Sequence, residues 1–255
     1  MEITEHIDAL HLEGTRLAEA AARTERSAPV PTCPEWQLAD LLRHVGHVHR
    51  WAGAIVSRGL RAPLDEAGAR AAIGPVPPDA ALLDWYREGH AALVDILTAA
   101  PADLECWSFL PAPAPLAFWA RRQAHETAVH RHDADAAAGV PGPVVDTALA
   151  LDGVDELVRG FMTGSRSILR SDRLRTLQLR ATDGAGSWRL TITQEAPAVT
   201  TGETSAPADL TVTGPAHELY LLLWNRLSAE RAGGIKAVGD QDLLGLWSDA
   251  AAVRW

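Results

Sequence analysis

The chain changes its hydrophobic period near the middle, and that change limits its folds more than any single residue does. Up to about residue 140 the apolar positions recur at helical spacing, as in Ile3, Ile7, Leu10, Leu17 and Ala21. Beyond "GVPGPVV" they alternate, as in "RLRTLQLRATDG" and "GSWRLTITQE", with "TDGAG" reading as a hairpin turn. A chain that switches period at a Gly/Pro-rich joint is neither one bundle nor one sheet. It is expected to be an α+β protein, with a helical domain over residues 1–142 and a small α+β domain over 143–255.

Four helices are expected in the first part. One spans about 3–26, and "SAPVPTCPEW" with its three prolines breaks it. The next opens near Pro34 to Gln37, where Thr32 and Glu35 match a capping box, and continues to Val56. A loop over roughly 58–78 leads to "PDAALLDWYREGHAALVDILTAA", and the proline-rich "PADLECWSFLPAPAPL" leads to a fourth helix over about 115–139. The second part should hold a helix in "DTALALDGVDELVRGFM", the hairpin, a strand in "ADLTVTG", and helices in "PAHELYLLLWNRL" and "DQDLLGLWSDAA".

The fourth helix carries "RRQAHETAVHRHDAD", with three histidines, a glutamate and two aspartates. It looks like the zinc-protease signature H-E-x-x-H but fails its spacing, because His125 and His130 are five apart. At about 100° per residue they diverge by roughly 140°. Glu126 and His130 are four apart and share a face, so E-x-x-x-H is the pair able to chelate one ion; the bland reading is an ordinary i, i+4 surface pair. A further ligand must come from elsewhere, and bundle cores commonly build metal sites from facing helices. The second helix offers His44, His47 and His49 in "LLRHVGHVHRW". Its periodicity does not select among them: His49 lies on the apolar stripe, His44 at its edge, and His47 points away.

Composition excludes several classes. A net charge of −10, with Lys236 the only lysine, leaves no basic stripe for nucleic acid. The sequence has no apolar run near 18 residues, so no membrane span is expected. "MEITEHIDAL" is polar and acidic, unlike a secretory signal, and two cysteines make no disulfide framework. A cytoplasmic protein is expected.

"VPTCPEWQLADLLRHVGHVHRWAGAIV" together with "RRQAHETAVHRHDADAAAG" resembles the mycothiol-dependent maleylpyruvate isomerase family. The resemblance implies a DinB-like four-helix bundle that binds a divalent metal, followed by a sterol-carrier-like α/β domain. It implies His44, Glu126 and His130 as metal ligands, since the family's first histidine follows the helix-two tryptophan, here Trp36, by eight positions. It places an aspartate at Asp133, and at Arg226 in "YLLLWNRL" an arginine tied to the active site, with catalytic and cofactor-binding roles. Two imidazoles and a carboxylate suit zinc, with nickel, cobalt or iron as alternatives. The implied partners are mycothiol, as a low-molecular-weight thiol cosubstrate, and a small electrophilic substrate. The implied activity is isomerisation or thiol S-transfer; the rival expectation is a non-catalytic metal-binding or small-ligand-binding protein of the same fold. Cys33, in the turn before the second helix, is expected to be structural.

Overall fold

The computed structural model describes residues 1–110, 114–164 and 167–251. Two compact units divide it, Met1–Pro143 and Val144–Trp255.

The first unit opens with α1 (Ile3–Ala22), whose capping box joins Glu2 and Glu5. It stops short of residue 26 because Thr24 Oγ1 donates to Ala20 O at 2.8 Å and Arg26 Nη1 to Ala21 O at 2.6 Å, closing its last carbonyls. The second helix, α2 (Leu38–Ser57), starts later than expected. Its capping box joins Gln37 and Asp40, not Thr32 and Glu35. Glu35 has φ +75°, a left-handed backbone that no helix can include. It closes a turn in which Val30 N–H donates to Trp36 O at 2.9 Å and Trp36 N–H to Cys33 O at 3.0 Å, so Pro34 lies outside the helix.

The expected loop over 58–78 contains a short helix, α3 (Glu66–Ile73). Asp65 caps it by accepting the Gly68 N–H, and Gly74, at φ +71°, ends it. None of its residues is buried, so the caps rather than a packed face hold it, and apolar periodicity gives no signal for such a helix. Then come α4 (Leu82–Ala99) and α5 (Pro115–Ala137), the latter with proline in its first turn. Residues 111–113 of the expected proline-rich connection lie outside the described residues. α1 packs against α5 and α2 against α4, while α2 also meets α5. Leu17, Leu38, Leu41, Leu42, Val45, Leu82 and Tyr86 are buried together between the helices.

The second unit begins with α6 (Thr147–Asp155), capped by Asp146, which runs on into a π-helical turn over Glu156–Phe161. Five strands follow in part: β1 (Arg175–Ala181), β2 (Ser187–Ile192), β3 (Ala198–Thr201), β4 (Leu210–Gly214) and β5 (Lys236–Gly239). α7 (Ala216–Leu223) lies between β4 and β5 in the chain, and α8 (Asp242–Ala250) comes last. The sheet order is β3-β2-β1-β4-β5, with β1 and β4 parallel and every other pair antiparallel. Leu177, Leu179, Leu190, Ile192, Leu210 and Val212 alternate into a buried face. β3 and β5 were not expected. Each is a four-residue edge strand, mostly exposed, with too few buried positions for alternation to register.

The chain is therefore α+β, helical first and mixed-sheet second. No helix among the described residues is long and apolar enough to cross a membrane.

Candidate metal centre

α2 and α5 bring His44, Glu126 and His130 together. One potential ligand atom from each lies within 4.8 Å of the other two. His44 Nε2 stands 3.1 Å from Glu126 Oε1, and His130 Nε2 stands 3.3 Å from the same oxygen. The two imidazole rings meet edge to face at 4.9 Å. Glu126 and His130 share a face of α5 because they are one turn apart, and His44 answers from the facing helix. Glu126 and His130 are buried, while His44 is half-buried, so the cluster lies at a wall of the unit and not in its dry centre.

The other histidines separate by their partners. His49 is fully buried, with Nε2 2.9 Å from Thr127 Oγ1, and burial first, then His90, keeps its pKa well below the usual value. It is a neutral core histidine that ties α2 to α5 beside Glu126. His47 faces the edge of Trp85, and His125 meets His6 edge to face at 6.0 Å. Burial and facing partners thus distinguish three histidines that helical period alone does not.

Charge is concentrated in the cluster. Burial opposes ionisation of Glu126, but the hydrogen bonds from His130 and His44, with the charges of His130 and Arg122, hold its carboxyl well below the usual range. Burial likewise opposes a charged His130 ring. Hydrogen bonds to Asp133 and Glu126, together with their charges, outweigh it and push the pKa up to about 9. A divalent cation fits this donor set, because it would satisfy the same carboxylate and both imidazoles at once.

Four neighbours complete the surroundings. Asp133 Oδ2 lies 2.8 Å from His130 Nδ1, which leaves Nε2 turned to the cluster. The Cys33 thiol donates to the same Asp133 oxygen at 3.3 Å. Arg122 Nη2 reaches the far oxygen of Glu126 at 3.5 Å. The Trp36 ring lies 5.0 Å from His44 and 6.1 Å from His130, covering both imidazoles on one side. Arg122 does not figure among the expected site residues, although it is findable as the residue one turn before Glu126; Trp36 enters the sequence reading only as the tryptophan eight positions before His44, and its contact with both rings comes from the structure. Arg226 belongs to the second unit, just past α7. Its N–H donates to Leu221 O at 2.7 Å, and its Nη1 to Trp224 O at 3.0 Å. Asn225 before it, at φ +58°, makes the left-handed turn that ends the helix.

Comparison with known proteins accounts for nearly the whole chain. A family model described as the mycothiol maleylpyruvate isomerase N-terminal domain matches residues 7–135. A second, described as the MDMPI C-terminal domain, matches residues 148–246. Among solved structures, a mycothiol-dependent maleylpyruvate isomerase superposes with a TM-score of 0.63 at 12% identity, covering 93% of each chain. A histidine-to-alanine variant of such an isomerase superposes with a TM-score of 0.64 at 12% identity, again over 93% of each chain. At that identity the superpositions speak for the fold alone. No curated protein matches the chain.

Proposed function

The chain belongs to the mycothiol maleylpyruvate isomerase family, and from that premise we propose that it is a metal- and mycothiol-dependent isomerase or thiol S-transferase acting on a small electrophile. The observation that carries this reading is the convergence of His44, Glu126 and His130 at a half-exposed wall of the first unit. Three protein ligands leave positions open, the pattern of catalytic rather than structural zinc. A divalent ion held there supplies a Lewis acid that lowers the pKa of a thiol beside it.

The residues of the chain prepare the rest. Asp133 holds the His130 ring by Nδ1 and so presents Nε2 as the lone-pair donor. Arg122 steadies the Glu126 carboxylate from behind. Trp36 screens the imidazoles from bulk water on one side. Arg226 is assigned to a substrate or thiol carboxylate, which its guanidinium can take in a bidentate pair. With maleylpyruvate as the electrophile, the thiolate sulfur adds to an alkene carbon and the π electrons move into the conjugated carbonyl as an enolate. Rotation about the new single bond follows. Collapse of the enolate then expels the thiolate and leaves the trans alkene, with no net change in atoms or electrons. Other electrophiles that retain the sulfur make the same chemistry a transfer.

The test uses the cobalt-loaded chain. Adding mycothiol should raise a new sulfur-to-cobalt charge-transfer band and release about one proton per thiol near neutral pH. Arg226→Ala should keep the ion and lose turnover. A chain that gives no band, no proton release and no rate with any electrophile is a metal-binding protein without thiol chemistry.

A further inference from the structure

His130 has two ring nitrogens, and each faces its own set of donors. Nε2 faces Glu126 and His44, as described above. Nδ1 faces Asp133 Oδ2 at 2.8 Å, and that oxygen is 3.3 Å from Cys33 Sγ. One donor atom from each of Cys33, His130 and Asp133 lies within 4.8 Å of the other two, the same closeness that His44, Glu126 and His130 achieve. Ligands about 2.0–2.3 Å from a tetrahedral zinc ion stand roughly 3.3–3.7 Å apart. The His130–Asp133 pair therefore needs to open by roughly 0.5 Å, and the Cys33–Asp133 pair by less, to admit one. His130 and Asp133 are fixed one turn apart on α5, and Cys33 sits in the turn locked by the hydrogen bonds between Val30, Cys33 and Trp36. Cys33 is half-buried, which leaves an entry path to otherwise buried donors.

An orienting hydrogen bond from His130 to Asp133 explains the carboxylate but not the thiol. A thiol is a weak hydrogen-bond donor, whereas its thiolate is a strong ligand for borderline and soft cations. We propose that Cys33, His130 through Nδ1, and Asp133 form a second divalent-cation site, selective for zinc- or cobalt-like ions, which shares His130 with the first. Binding there transfers the thiol proton and the Nδ1 proton to solvent. With both sites filled the ring is a bridging imidazolate, and four negative charges, on Cys33, Asp133, Glu126 and the ring, balance two dications. The inference rests on the first-site reading only in sharing His130.

Titrating the full-length metal-free chain with cobalt(II), with no small thiol present, tests it. The expected result is about two ions per chain and a thiolate-to-cobalt charge-transfer band that accompanies one of them. Cys33→Ser should abolish the band and weaken that ion at least tenfold. His44→Ala should weaken the other ion and leave the band, and Cys106→Ser should change neither. Cobalt binding without a band in the wild-type chain, or a band that survives Cys33→Ser, overturns the second site. So does a band lost equally in His44→Ala, since a single ion with a mixed ligand set would then hold the thiolate. The proposed function is judged separately, by whether mycothiol raises a band and turnover in the Cys33→Ser chain. If it does, the thiol reading stands even where the second site fails.

Discussion

The two units bury polar groups very differently. Along α5 alone, Arg122, Gln123, Glu126, Thr127, His130, Arg131, Asp133 and Asp135 are buried. In the second unit the buried polar side chains among the described residues are Glu156, Gln178 and Ser187. Taking an ion out of water costs several kcal/mol unless partners meet it, so a helix carrying this many buried ionisable groups is selected for something other than stability. The buried amide of Gln178 is met on its donor side, with Nε2 near Leu179 O, Ser187 Oγ and Trp188 O at 3.1–3.2 Å, while its Oε1 has no partner.

Within α5 the charges form two groups with different roles. Arg131 donates through Nε to Glu13 at 2.6 Å and through Nη1 to Asp135 at 2.9 Å and Pro143 O at 2.8 Å. Arg16 and Arg23 extend that network to the surface. It joins α1 to α5, although the buried Arg131 Nη2 has no hydrogen-bond partner. The group around Glu126 and His130 is the one proposed to hold a cation.

The largest test of this contrast is Arg131→Ala. It leaves the buried Glu13 and Asp135 carboxylates with only the more exposed Arg16 and Arg23 as cationic partners and should cost about 3 kcal/mol in denaturant unfolding, with or without metal. Next come the proposed ligands. His44→Ala or Glu126→Ala should weaken metal binding by about 100-fold or more, roughly 2.7 kcal/mol, measured by equilibrium dialysis. His49→Ala should leave the ion in place, since His49 is bonded to Thr127; loss of metal in His49→Ala with retention in His44→Ala would reverse the assignment.

The pH dependence of the metal-free chain gives a third effect, smaller when read over any one pH unit. The folded His130 pKa is raised to about 9 against a reference of 6.5, so the native chain holds the extra proton. Its stabilisation is complete below pH 6.5 and is lost as pH rises through about 9, with a slope approaching 1.4 kcal/mol per pH unit. Loading with metal should flatten that slope, because ligation excludes the extra ring proton; an equally steep slope with metal bound would place His130 outside the coordination sphere. The smallest effect belongs to the second unit. Ser187→Ala removes a hydroxyl that lies 3.1 Å from Gln178 Nε2 and donates to Gly202 O at 3.2 Å, and should cost about 1 kcal/mol with no change in metal content.

The difference between the units also decides what the sequence makes legible. The change of period, the long helices and the β1–β2 hairpin follow from hydrophobic repetition, and Glu126 and His130 from i, i+4 spacing. The partner histidine does not, because His44 and His49 both lie close to the buried stripe of α2, and only facing residues from α5 tell them apart. The start of α2 is misread for a conformational reason. Thr32 and Glu35 have the spacing of a capping box, yet the Glu35 backbone turns left-handed and moves the cap to Gln37. The short α3 and the edge strands β3 and β5 bury too little for any periodic pattern to mark them.

The burial of α5 on every side has a kinetic consequence. The apolar cluster of α1, α2 and α4 can collapse early because non-directional contacts suffice to draw those helices together. α5 docks with the apolar Leu116, Trp119 and Val129 and also through the pairing of Arg131 with Glu13 and Asp135, which rewards only near-final geometry. The transition state for folding should therefore contain the three apolar helices with α5 unlocked. Weakening the Arg131 network would then speed unfolding far more than it slows refolding, and the life of the native chain would be set by how long α5 stays seated.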